Sequence, residues 1–349
     1  MATRMVIGAK TSYHFRLMMK KIISCKSFEM ISTYPLNGPL YHVDQIPAEF
    51  HESFILSGYR HPKSTFLQCV FSVFYRTNET GNFWTHFLPS CYFIYVICEK
   101  LSEDDYSLPF LAYLLACILF SLASSMAHMF FVLSDYARHI CFFIDYGGLS
   151  LFSIGSAIAY RAYVFPEVLE RTWFGYWYLP MAIFGALAST FFSCLSRFKK
   201  DCHTQQLLRI VAFSLPYLFD NLPVMVWLAL CDFKQCLQSK FYHITQFMFC
   251  FIAAFLYMSH LPERLQPGRF DIWGHSHQIF HVCGILGTIS QMKAIEIDMD
   301  LQKANIIKPC YYMYFHYSVE IMCAVLILNI IIIFIFSCML KIEMKKKND

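Results

Sequence analysis

Eight apolar runs, each about as long as a helix must be to cross a bilayer, occupy the chain from residue 82 to residue 340. Charged residues gather between these runs rather than within them. That pattern admits few folds. A segment inside a bilayer must satisfy its own backbone polar groups, which leaves helices or closed barrels. Barrel strands would alternate apolar and polar residues at every second position, and these runs do not. Composition agrees: only 15% of the 349 residues are charged, where a soluble domain carries about a quarter, and the mean hydropathy is +0.44. The sequence therefore predicts an all-α membrane protein with helices near 82–98, 108–134, 138–163, 173–195, 207–230, 241–259, 272–292 and 317–340. Pro89, Pro180, Pro216 and Pro223 fall inside the runs and are expected to kink them.

Lysine and arginine in the flanks set the expected orientation. With the amino terminus inside, twenty of these residues fall on the cytosolic side and eight outside. Eight spans then return the basic tail from Lys341 to the cytosol. The expected division is a basic extension over 1–40, a cytosolic segment over 41–81 and a seven-helix bundle over 82–292. An extracellular loop over 293–316, an eighth helix over 317–340 and a basic tail over 341–349 complete it. The acid-poor start of the extension has the character of a cytoplasmic tail or interfacial helix, with a mitochondrial transit segment as the alternative, and no signal peptide is expected. Asn78-Glu79-Thr80 matches a glycosylation sequon but lies on the side read as cytosolic. The fifteen cysteines lack a tight CxxC pair, and those inside apolar runs (Cys91, Cys117, Cys194, Cys250, Cys283, Cys323) read as small core residues. The inward amino terminus opposes that of rhodopsin-like receptors, and the Asp-Arg-Tyr and Asn-Pro-x-x-Tyr signatures of that class are absent.

Ionisable residues at membrane depth are costly and need a reason. The seventh run contains His277 and His281 at i and i+4, which places both imidazoles on one helical face roughly 5–6 Å apart at Cβ. His275 falls about 200° from His277 around the same helix and faces elsewhere. His128 lies near the end of the second run and Asp145 about two turns into the third, and the expected topology sets all four groups in one cytosolic layer. Three neutral imidazoles with a fourth position left for water make a natural Zn2+ site. Asp145 then reads as the group that holds or deprotonates that water, or as a fourth ligand. Ser124, one turn before His128, is a weaker candidate for a catalytic hydrogen bond. His86, near the start of the first run, is another that could join the layer.

These residues resemble the progestin and adipoQ receptor family over about residues 43–295. The resemblance rests on Gly58-Tyr59-Arg60, on the block from Asn78 to His86, on Ser124 with His128, on Asp145-Tyr146-Gly147 and on Ser276-His277-Gln278-Ile279-Phe280-His281. Arg138-His139-Ile140-Cys141, the Gly155–Tyr160 segment and the Ser259–Arg264 segment are similar to the membrane progestin receptor branch, nearest its gamma group. The resemblance implies a seven-transmembrane-helix bundle of the adiponectin-receptor type plus an eighth, carboxy-terminal helix. It implies zinc ligands at His128, His277 and His281 and a water-holding carboxylate at Asp145.

Three functional expectations follow. The first, implied by the resemblance, is a plasma-membrane receptor for a progesterone-like steroid, signalling through inhibitory G proteins. The second is a zinc-dependent hydrolase acting on a lipid amide such as ceramide, with Asp145 as general base. No Gly-x-Ser-x-Gly or His-Glu-x-x-His motif offers another hydrolytic route. The third is a purely structural metal that ties the helices together. Nothing in the sequence points to a nucleic-acid partner.

Overall fold

The computed structural model describes residues 38–101, 107–230, 237–305 and 312–348. Among them the secondary structure is helical, apart from an isolated bridge between Tyr41 and Tyr59. After two single 3-10 turns come α1 (Phe66–Ser72), α2 (Thr80–Lys100), α3 (Leu108–Phe130), α4 (Asp135–Tyr163) and the short α5 (Glu167–Glu170). Then follow α6 (Trp173–Ser196), α7 (Cys202–Asp220), α8 (Leu222–Leu230), α9 (Leu237–Ser259), α10 (Ser276–Asn305) and α11 (Tyr312–Asn348). Of the expected basic extension over 1–40, residues 1–37 lie outside the described residues.

Local chemistry sets where these helices begin. Thr65 and Gln68 form a reciprocal capping box at α1. Ser134, Thr172 and Asp201 each cap the free N–H groups opening α4, α6 and α7. The fifth expected run is broken at Asn221, just before Pro223, into α7 and α8, and the Asn221 Nδ2 donates to the Tyr217 carbonyl at 2.8 Å across the break.

Six helical segments are long and apolar enough to cross a membrane by composition alone: α3, α4, α6, α7 with α8, α9, and α11. The two long helices that fall short are α2 and α10. They are also the ones that carry Thr85 and His86, and His277 and His281, so polar site residues account for part of their lower hydropathy. Both pack into the bundle, α2 against α3 and α10 against α9. Small residues bring α3 and α4 together: a Cβ on Gly155 would lie 2.6 Å from Ala116 Cβ, and one on Gly148 would lie 3.0 Å from the Phe120 Cα. The eighth long helix, α11, lies against α4 and α6, where Asn329 Nδ2 donates to Ser150 Oγ at 3.2 Å.

The expected loop from 293 requires correction, because α10 runs on through Asn305. Its extra turns have partners that hydropathy does not register. Asp298 is buried and accepts hydrogen bonds from Ser239 Oγ at 2.5 Å and His243 Nε2 at 2.8 Å. Glu296 pairs with Lys293 and with Lys100 of α2. The same helix starts later than expected, at Ser276, because Gly274 has φ +82° and the backbone before it is irregular. Glu263 accepts from both the N–H and the hydroxyl of Ser276 and closes that end.

A knot of polar side chains ties the other end of the bundle. The Tyr160 hydroxyl accepts from Gln246 Nε2 at 3.0 Å and Gln291 Nε2 at 2.7 Å and donates to Asn221 Oδ1 at 3.1 Å. One phenol thus joins α4, the α7–α8 junction, α9 and α10. The core reading of the cysteines holds for Cys117, Cys194 and Cys283, which are buried, whereas Cys91 and Cys323 are exposed on the protein surface.

Candidate metal centre

His128 sits in the last turn of α3, and His277 and His281 occupy the first two turns of α10. The three imidazoles converge as the spacing predicts. Each offers a nitrogen, and these atoms all lie within 4.8 Å of one another. The Nε2 atoms of His128 and His277 are 3.4 Å apart, and the ring centroids of His277 and His281 are 4.4 Å apart. His128 and His281 are buried, and His277 is half-buried.

The surroundings orient two of these rings for their lone pairs to face inward. His128 Nδ1 lies 2.6 Å from the Glu79 carboxylate, which also accepts from Asn82 Nδ2 at 2.9 Å. A carboxylate there favours a proton on Nδ1 and leaves Nε2 free to bind a metal. Thr85 acts similarly on His281. Its one hydroxyl proton goes to the Asn82 carbonyl at 3.0 Å, so its oxygen accepts from His281 Nδ1, 3.1 Å away.

Arg60 holds the backbone that carries His128. Its guanidinium is buried and donates to the carbonyls of His128 at 2.6 Å and Met129 at 2.7 Å, and to Ser72 Oγ at 2.8 Å. The two carbonyls belong to the end of α3, where the last helical C=O groups lack intrahelical partners. Burial pulls this guanidinium down from its ordinary value, and the Glu79 carboxylate acts against that.

The other expected residues divide. Asp145 is not among the groups whose donor atoms cluster with the three histidines, so the structure does not place it as a direct fourth ligand. It is half-buried and, among the described residues, makes no hydrogen bond or ion pair. Ser124 is buried and likewise makes no hydrogen bond among the described residues. His86 lies against His281 with ring centroids 4.0 Å apart and the rings tilted at 55°, and its Nδ1 is buried without a partner, yet it stays outside the cluster. His275 stays out of the cluster as expected, but for another reason: it precedes the first residue of α10, and it bonds the Asn78 carbonyl at 3.2 Å. Asn78 itself is 2% exposed, which removes it as an acceptor of a glycan. Sequence reasoning missed the roles of Glu79, Thr85 and Arg60. Glu79 had one available signal, as an acidic residue at the head of an apolar run.

Beside the centre, between α2 and α10, lies a groove of about 400 Å³ lined by Trp84, Thr85, Leu88, Trp273, Gln278 and Ile279. Its wall includes Thr85, the partner of His281, so the groove and the histidines share a residue.

The chain belongs to the haemolysin-III-related family, whose members are multi-pass helical membrane bundles and whose model matches residues 74–292. That span holds all three histidines and Asp145. The chain is similar to membrane progestin receptor gamma-B of Danio rerio, at 44% identity over 292 residues covering 77% of this chain and 84% of the relative. It is similar to membrane progestin receptor gamma of Homo sapiens, at 45% over 272 residues covering 76% and 82%. Membrane progestin receptor delta of Mus musculus is 43% identical over 278 residues, covering 76% and 80%. The family resemblance read from the motifs is borne out.

Proposed function

We propose that this chain is a multi-pass receptor of the plasma membrane for a progesterone-like steroid. Both termini are cytosolic, Zn2+ is held by His128, His277 and His281, and the signal passes through inhibitory G proteins. The observation that carries the steroid reading is identity of 43–45% to membrane progestin receptors over about three quarters of the chain. The groove beside the histidines has the volume of a small-molecule site. Saturable binding of tritiated progesterone to membranes expressing the chain is expected, together with steroid-driven nucleotide exchange on an inhibitory Gα. Binding no greater than in membranes lacking the chain would remove the reading.

The donor set fits zinc: three convergent neutral imidazoles, two of them held by a carboxylate and a hydroxyl on their outer nitrogens. A bound zinc ion supplies a fixed positive charge at the inner end of the bundle and, where a fourth position stays open, lowers the pKa of a coordinated water. Glu79→Gln is expected to weaken zinc binding about 10- to 100-fold, the usual effect of losing such a partner. Competition with a chelator of known affinity measures it, and an unchanged affinity would show that Glu79 does not support the ligand.

A second reading, lipid amide hydrolysis, draws on Asp145. A half-buried carboxylate that has no hydrogen-bond partner of its own among the described residues supports a role as proton acceptor. On this reading Asp145→Ala abolishes turnover of a labelled ceramide while zinc remains bound. No turnover by the unaltered chain, with progesterone binding intact in Asp145→Ala, leaves the receptor with a structural metal.

A further inference from the structure

Three arginines stand near the end of the bundle that carries the histidines, and none has a carboxylate partner. Arg138 lies in the first turn of α4, Arg197 just beyond α6 and Arg209 in the second turn of α7. Arg138 is only 9% exposed. Its guanidinium lies against the rings of Phe50, Phe131 and Phe142, at 5.1, 6.0 and 5.9 Å. Its Nε is buried without a hydrogen-bond partner. Arg197 shares the Phe142 ring at 4.4 Å, and among the described residues its side chain donates to His139 Nδ1 at 3.3 Å. Arg209 donates to the Gln205 carbonyl at 3.2 Å and to the Tyr146 hydroxyl at 3.4 Å.

Arg138 has charges of both signs around it but forms an ion pair with none of them among the described residues. Arg197 is a like charge beside it, and Glu52, Asp135 and Glu49 lie around it. None of these carboxylates forms an ion pair with any of the three arginines among the described residues. Burial of an unpaired cation is costly, and the three aromatic faces offset only part of that. An anion with several acceptor oxygens would supply what the protein leaves out. Guanidinium groups match phosphate through paired N–H donors, and basic pockets between helices at the cytosolic ends of membrane proteins commonly take phosphorylated head groups.

We infer that Arg138 and Arg197, which share the Phe142 ring, form a binding site for a phosphate monoester carried on the head group of a membrane lipid. On the orientation proposed above the lipid lies in the cytosolic leaflet. The site is independent of the steroid and zinc readings, since none of its residues touches the histidine cluster.

The test is native mass spectrometry of the detergent-purified full chain. It is titrated separately with dioctanoyl phosphatidylinositol 4-phosphate, dioctanoyl phosphatidylserine and inorganic phosphate. One phosphoinositide per chain is expected, retained in preference to phosphatidylserine. Arg138→Gln and Arg197→Gln are each expected to lower its affinity about tenfold, the value of one hydrogen bond to a charged group. Arg197→Gln changes a half-buried side chain at a helix end and keeps the test valid if Arg138→Gln impairs folding. Lys199→Gln with Lys200→Gln, which removes two exposed charges nearby, is expected to leave the affinity unchanged. Equal retention of phosphatidylserine, or equal loss in the lysine variant, would reduce the effect to surface charge and overturn the site. Binding of inorganic phosphate as tight as that of the lipid would overturn the lipid as its source.

Discussion

The His277→Ala/His281→Ala double variant is expected to purify without stoichiometric zinc, where the unaltered chain carries about one ion. The expectation follows from geometry. Both side chains leave the first two turns of one helix, α10, and meet His128 from the end of α3. Removing the pair leaves one imidazole where three are needed for a closed or nearly closed zinc site. Metal content by plasma mass spectrometry gives the primary readout. His203→Ala, on an exposed residue near the start of α7, is the matched control and keeps its zinc. Thermal stability gives a second readout. A ligand held at 1,000 times its dissociation constant stabilises the folded state by about 4 kcal/mol. A chelator should therefore lower the melting temperature of the unaltered chain and leave that of the double variant where it is. One zinc per chain in the double variant would dissolve the proposed centre.

The parts of this picture legible in the sequence are those that depend on short-range periodicity. Long apolar runs gave the spans because a bilayer imposes length and composition locally. The i,i+4 spacing of His277 and His281 gave their common face because helical geometry repeats at that interval. His128 joined them only through topology, and the structure does bring it there. What could not be read are contacts between distant segments. Glu79 meets His128 across 49 residues, Thr85 meets His281 across 196, and Arg60 reaches the α3 carbonyls across 68 and 69. Hydropathy also ended α10 too early, because Asp298 and Glu296 look like loop residues until Ser239, His243 and Lys100 are seen beside them. For Asp145 the sequence left two readings open, a group that holds the water or a fourth ligand; its oxygens do not cluster with the three imidazole nitrogens, which disfavours only the direct ligand.

Arg60 is where the second large effect is expected, and it is a residue outside the spans. The segment before α1 folds back over the histidine end of the bundle, burying Ile46, Phe50, Ile55 and Tyr59 with Phe131 and Val132. Ser57 and the Leu56 N–H fasten it to Asp271, in the loop that leads into α10. Arg60 is the polar centre of this cover. Arg60→Met keeps much of the side-chain bulk but removes donors to two α3 carbonyls and to Ser72, and takes a cation from beside Glu79. Hydrogen bonds to charged groups contribute roughly 1.5–3 kcal/mol each and do not add fully, so a loss of roughly 3–5 kcal/mol is expected. At about 2–4 °C per kcal/mol, that is a fall of roughly 10 °C in the melting temperature of the purified chain. Arg60→Lys should recover little, since one ammonium cannot reproduce a fork that reaches two carbonyls and a hydroxyl. Arg76→Met, at an exposed arginine between α1 and α2, sets the baseline, and a melting temperature for Arg60→Met equal to that baseline would refute the role. Because the carbonyls that Arg60 holds include that of His128 itself, the same variant should also weaken zinc binding without touching a ligand. The cover outside the membrane and the centre within it are then one cooperative unit.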